Sequence, residues 1–179
     1  MCDAPVDLSF RCLCSMADAL TEEPSGGLQP LKRNSEKKYL SRSLRLNNNI
    51  ITDLSDLHKT LTHFLAEPSQ LAWLDLSFNC ISHIDPVLCE LQQLRVLYLH
   101  GNSICNLAEV KRLGVLQYLH TITLHGNPIE TERGYRSHVV SALPQLKAVD
   151  FSAVTQQEQV MANVWCHSNN RGRRKVSID

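Results

Sequence analysis

The chain has 179 residues, 43% of them hydrophobic and 20% charged, which is enough for one domain of ordinary size with a real core. Lys plus Arg and Asp plus Glu number 18 each, so no global charge draws the chain toward nucleic acid or an anionic membrane. No stretch approaches the ~20 apolar residues of a membrane span, and the first residues lack the apolar run of a secretory signal.

Residues 1–38 form the first unit. Leu8, Phe10, Leu13, Met16 and Leu20 are apolar among polar neighbours. They are expected to cover an open end of the structure that follows; the other reading is a docking segment for another protein. The polar stretch TEEPSGGLQPLKRNSEKK then reads as loop. Seven cysteines are scattered through the chain without a C-x-x-C pair, which argues against a zinc knuckle or a thioredoxin-type site. Free thiols in a reducing cytosol or nucleus are the expectation.

From residue 41 the chain repeats itself. Residues 41–51 read SRSLRLNNNII, residues 71–81 LAWLDLSFNCI, residues 94–104 LRVLYLHGNSI and residues 119–129 LHTITLHGNPI. The shared pattern is L-x-x-L-x-L-x-x-N-x-I, with Ser41 in the opening Leu position of the first row, and a fifth, incomplete row, LKAVDFS, occupies residues 146–152. Leu-x-Leu alternation describes a short strand with one face buried. Each row then turns and returns on the far side, and the next strand pairs in parallel. The turn asparagines Asn49, Asn79, Asn102 and Asn127 stand 30, 23 and 25 residues apart. A carboxamide both donates and accepts, so it can satisfy backbone groups that an inward turn strips of partners.

The longest step contains Leu54, Leu57, Leu61, Phe64 and Leu65 at helical spacing, ended by Pro68, and predicts a helix. Segments such as 104–116 predict shorter helical pieces. After the fourth row, Val139, Val140 and Leu143 again fall at helical spacing. The chain ends in a basic stretch with Arg171, Arg173, Arg174 and Lys175, read as solvated tail.

Four rows in register resemble the leucine-rich repeat family, over residues 41 to about 158. The sequence from Arg133-Gly134-Tyr135-Arg136 through LPQLKAVDFSAVTQQE resembles the C-terminal cap of its short intracellular class, which includes spliceosomal, phosphatase-regulating and ciliary proteins. The resemblance implies an α/β solenoid of four full repeats plus the cap, with a parallel sheet on the concave face and helices or turns on the convex face. Tyr135 would close the last turn, and Leu143, Leu146 and Val149 would plug the core. The expected divisions are residues 1–38, partly capping; 39–158, repeats with cap; and 159–179, a terminal helix and basic tail.

No nucleophile elbow, zinc-protease, P-loop or dinucleotide motif occurs. His100 and His125 hold the same position in adjacent rows, about 4.8 Å apart at the backbone. Their column otherwise holds Asn47, Ser77 and Ser152, so a third metal ligand is lacking and no metal or cofactor is expected. The outward columns instead bring Trp73, Val96 and Tyr98 together, flanked by Arg45 and Asp75 and continued by His100, Thr123 and His125. A half-exposed Trp beside a Tyr has the composition of an interface hot spot. Residues 1–20 folding over this patch is the competing expectation. The expected function is a non-enzymatic protein–protein adaptor with a protein partner on the concave face. A cytoplasmic location is expected, with a ciliary or cytoskeletal assembly suggested by analogy of class. The rival is an RNA-associated module of the spliceosomal type that uses the basic tail.

Overall fold

In the four full rows the apolar residues of the Leu-x-Leu position, Leu44 and Leu46, Leu74 and Leu76, Leu97 and Leu99, Ile122 and Leu124, turn inward and the residues around them pair sideways. The computed structural model describes residues 4–175. Its strands are β1 (Val6–Asp7), β2 (Ser43–Arg45), β3 (Trp73–Asp75), β4 (Val96–Tyr98), β5 (Thr121–Thr123), β6 (Ala148–Val149) and β7 (Ser152–Ala153). They form one sheet in chain order. Neighbours from β1 to β6 are parallel, and β7 returns antiparallel to β6. Leu44, Leu74, Leu97 and Ile122 stand side by side and are fully buried. The solenoid pattern therefore sets the register directly, since a slip of one residue would turn every leucine outward.

The four turn asparagines build a ladder. The Asn102 Nδ2 donates to Leu99 O of its own row and to Leu76 O of the row before, both at 3.0 Å, while its Oδ1 accepts from Ile81 N at 3.0 Å. Asn79 and Asn127 repeat the arrangement. Each carbonyl between rows thus receives two carboxamides: Leu76 O from Asn79 and Asn102, Leu99 O from Asn102 and Asn127.

The ladder extends one row further toward the N-terminus than the leucine pattern does. Asn49 donates to Leu8 O and accepts from Arg11 N and Leu13 N. Residues 6–12, VDLSFRC, match residues 74–80, LDLSFNC, with valine for the leucine and arginine for the asparagine. Asp7 accepts from the amide and hydroxyl of Ser9 at 2.9 and 2.6 Å, and Asp75 does the same for Ser77 at the same distances. Val6, Leu8, Leu13, Met16 and Ala19 are buried, whereas Phe10 is exposed. The segment therefore lies alongside β2 as a further turn of the solenoid, not across Trp73 and Tyr98. Residues 21–38 are mainly loop but pinned: Ser25 N donates to Asp7 O, and the Arg33 guanidinium sits 4.4 Å over the Tyr39 ring.

The return paths follow the length of each step. The 30-residue step accommodates α1 (Leu57–Phe64), with Leu57, Leu61 and Phe64 buried. The 23- and 25-residue steps return through 3₁₀ turns at Pro86–Glu90 and Leu107–Val115. A 3₁₀ turn rises about 2.0 Å per residue against 1.5 Å for an α-helix, so fewer residues span the same distance.

The C-terminal end is closed by α2 (Tyr135–Ala142), β6, β7 and α3 (Gln156–Lys175). Leu143, Leu146 and Val149 plug the core as the cap resemblance implies. The Arg136 guanidinium ties the parts together by donating to the Glu158 carboxylate, Val149 O and Ala153 O. The α3 backbone continues to Lys175, through part of the stretch read as tail. The side chains of Arg171, Arg173, Arg174 and Lys175 lie outside the described residues. Among the described residues no helix is long and apolar enough to cross a membrane.

Gly134 begins α2 at φ +75°, and a Cβ there would collide with the Trp165 indole of α3. Gly134→Val is expected to lose about 2 kcal/mol through backbone strain and the displaced ring. In a Trp73→Phe background, where Trp165 is the remaining tryptophan, its emission should shift to the red as α3 undocks.

Candidate protein-binding face

The strand columns place the outward residues in rows and files. Trp73, Val96, Thr121 and Ala148 are consecutive neighbours in one file, and Arg45, Asp75, Tyr98 and Thr123 in the next. The Trp73 and Tyr98 rings meet edge to face with centroids 5.6 Å apart, and the Arg45 guanidinium lies 5.6 Å from the Trp73 ring. Arg45 also faces Asp7 across the adjacent strand, 3.6 Å away. Both Trp73 and Tyr98 remain partly exposed.

His100 and His125 stack face to face, 4.7 Å between centroids and 8° between planes. The His100 Nδ1 shares a 2.7 Å hydrogen bond with Thr123 Oγ1, and the His125 Nδ1–H donates to Asp150 Oδ1 at 3.1 Å. Burial first, and then the neighbouring His125, hold His100 below the usual imidazole range, which keeps it neutral at pH 7. Among the described residues no group of three His, Cys, Asp or Glu is placed to hold a metal ion.

Two of the expected face residues are not open to solvent. Thr123 is fully buried beneath the His100 ring, and Asp75 is buried with its carboxylate turned onto Ser77. They support the surface without forming it. Ser152 does not continue the histidine file either. The chain reverses at Asp150 and Phe151, both at positive φ, and β7 runs back along β6. That reversal moves Phe151 over the concave face, with its ring 5.4, 5.6 and 5.8 Å from those of Tyr98, His100 and His125. Phe78 adds a further ring against His100 at 5.1 Å. It lies over Gly101, where a Cβ would collide with it. The result is a contiguous aromatic floor of Trp73, Tyr98, His100, His125, Phe78 and Phe151. Phe151 is 63% exposed although it packs on three rings.

Asp150 fixes the end of this floor. Its Oδ1 accepts from Leu124 N at 2.6 Å and His125 N at 3.0 Å, and its Oδ2 accepts the Tyr135 hydroxyl at 2.7 Å. Burial alone would raise its pKa, but these hydrogen bonds outweigh burial and leave it below the ordinary carboxylate value. Burial, followed by the bond to Asp150, pushes the Tyr135 phenol up.

A leucine-rich repeat family model matches residues 46–177 of this sequence. The chain belongs to the leucine-rich repeat family. It is similar to Leucine-rich repeat-containing protein 51 of Macaca mulatta, with 47% identity over 172 residues, covering 96% of this chain and 90% of the relative. The protein of the same name from Homo sapiens is 46% identical over the same shares of each chain. Among solved structures, a chain of the Drosophila melanogaster SNF/U2A′ complex superposes with a TM-score of 0.59 at 22% identity, covering 76% of this chain and 86% of that one. That likeness shows the fold, a leucine-rich repeat solenoid. Proteins of this family act generally as interaction modules, which makes the concave sheet the natural place to look for a partner.

Proposed function

We propose that this leucine-rich repeat protein is a non-enzymatic adaptor that binds a protein partner on its concave sheet. The observation that carries the reading is the partly exposed aromatic floor centred on Trp73 and Tyr98 and edged by Phe151. Large aromatic side chains left in water on a rigid scaffold are the usual anchors of protein interfaces. The backbone beneath them is held by the asparagine ladder, so little ordering opposes binding. The proposed setting is the cytoplasm, and a ciliary or cytoskeletal assembly rests on the resemblance of class alone. The RNA-associated reading depends on Arg171, Arg173, Arg174 and Lys175, whose side chains lie outside the described residues.

The test compares capture of partners from a ciliated-cell lysate by the intact chain and by Trp73→Ala, after thermal melts show both equally folded. Removing such an anchor is expected to weaken binding about 30-fold, the equivalent of about 2 kcal/mol. Trp73→Phe should retain part of the affinity. Partners captured equally by all three proteins would move the interaction site away from the concave sheet.

A further inference from the structure

The strand-entry rim of the concave face carries its own charge pattern. The backbone ladder aligns Arg42, Ala72, Arg95, His120 and Lys147: Ala72 N donates to Arg42 O, Arg95 N to Ala72 O, His120 N to Arg95 O and Lys147 N to His120 O, at 2.8 to 3.0 Å. Adjacent members therefore stand about 4.8 Å apart at the backbone. Arg42, Arg95 and Lys147 are exposed, and none of them forms a salt bridge among the described residues. His120 lies between two of these cations. Burial first, then Lys147 and Arg95, lower its pKa, in keeping with like charges crowded along one edge. The neighbouring file is Trp73, Val96, Thr121 and Ala148, and the carboxylates Asp75 and Asp150 lie beyond it.

From this juxtaposition we infer that the concave face takes an acidic protein segment, its carboxylates on the Arg95–His120–Lys147 rim and its apolar side chains on Val96, Trp73 and Tyr98. The inference rests on the concave-face reading and adds the chemistry of the partner. Unpaired cations aligned at strand spacing are matched by acidic side chains along one edge of a peptide. The same edge position brings the peptide's other side chains over the aromatic floor. A nucleic acid fits less well. The chain as a whole carries no net positive charge to hold a polyphosphate backbone.

The experiment is selection of phage-displayed random peptides on the full chain, on Trp73→Ala and on Arg95→Glu/Lys147→Glu. Arg95 and Lys147 are exposed and make no side-chain bond, so the double variant should melt like the parent. The expected result is enrichment of peptides that combine Asp or Glu with Leu or aromatic residues. A synthesised winner should bind Arg95→Glu/Lys147→Glu roughly tenfold more weakly, as two reversed rim charges imply, and Trp73→Ala about 30-fold more weakly. Selection on the charge-reversed protein should shift toward basic peptides. Neutral or basic winners that ignore the charge reversal but are lost with Trp73→Ala would overturn this inference and leave the concave-face reading intact. No enrichment, or winners indifferent to both variants, would overturn both. Oligouridine RNA that displaces the peptides and requires Arg95 and Lys147 would overturn the assignment to a protein segment.

Discussion

Asn102→Ala is expected to destabilise the protein by about 3 kcal/mol and to lower its midpoint by about 6–12 °C. The side chain is buried in the middle of the ladder and bonds backbone groups of two adjacent rows: Leu99 O of its own, and Leu76 O and Ile81 N of the one before. The two carbonyls keep a second carboxamide, from Asn79 and Asn127 respectively. The Ile81 amide keeps nothing, and an orphaned buried donor alone costs ~1–3 kcal/mol. The void left by the carboxamide and the weakened carbonyl bonding supply the remainder. Asn102→Ser, able to restore one bond, should recover part of the loss. Urea unfolding of the three proteins checks this, and a change below about 1 kcal/mol for alanine would mean that water reaches the Ile81 amide.

Asp150→Ala is expected to produce a loss of similar size at neutral pH, again about 3 kcal/mol, because four donors from three residues converge on this carboxylate. Its pH dependence distinguishes it from the asparagine. The folded carboxyl titrates below its ordinary value of 3.8. The unfolded chain therefore takes up the proton first as the solution is acidified. The stabilisation is complete above the unfolded value and disappears as pH falls from about 4 through the folded value. The difference in unfolding free energy between parent and Asp150→Ala should accordingly be constant from pH 7 to about 5 and shrink below about 4. The lowered carboxyl of Glu158, paired with Arg136, contributes acid sensitivity of its own, but it is present in both proteins and drops out of the difference. A gap that stayed constant down to about pH 2 would show that the Asp150 charge does not hold the cap.

The repeat made the central strands, their register and the buried leucines readable before any coordinates, because a period-two pattern written four times leaves one way to stack. Trp73 beside Tyr98 follows from counting along the rows. The N-terminal strand escaped that count because Arg11 stands where the other rows have asparagine and no leucine opens the row. The identity of VDLSFRC with LDLSFNC at five of seven positions was the available signal. Phe151 was harder to place. Its position depends on positive φ at both Asp150 and Phe151, a reversal that extending the L-x-x-L-x-L frame through LKAVDFS conceals. The burial of Asp75 and Thr123 likewise reflects side-chain bonds to Ser77 and His100 that a column of outward positions does not reveal.

The most direct measurement puts a photoreactive p-benzoylphenylalanine at Thr121, on the concave sheet, or at Lys111, on the convex 3₁₀ turn, and irradiates each protein in lysate. A concave binding face predicts discrete crosslinked proteins from position 121, lost on adding Trp73→Ala, and none in common from position 111. The same products from position 111, or products from 121 that survive Trp73→Ala, would contradict it.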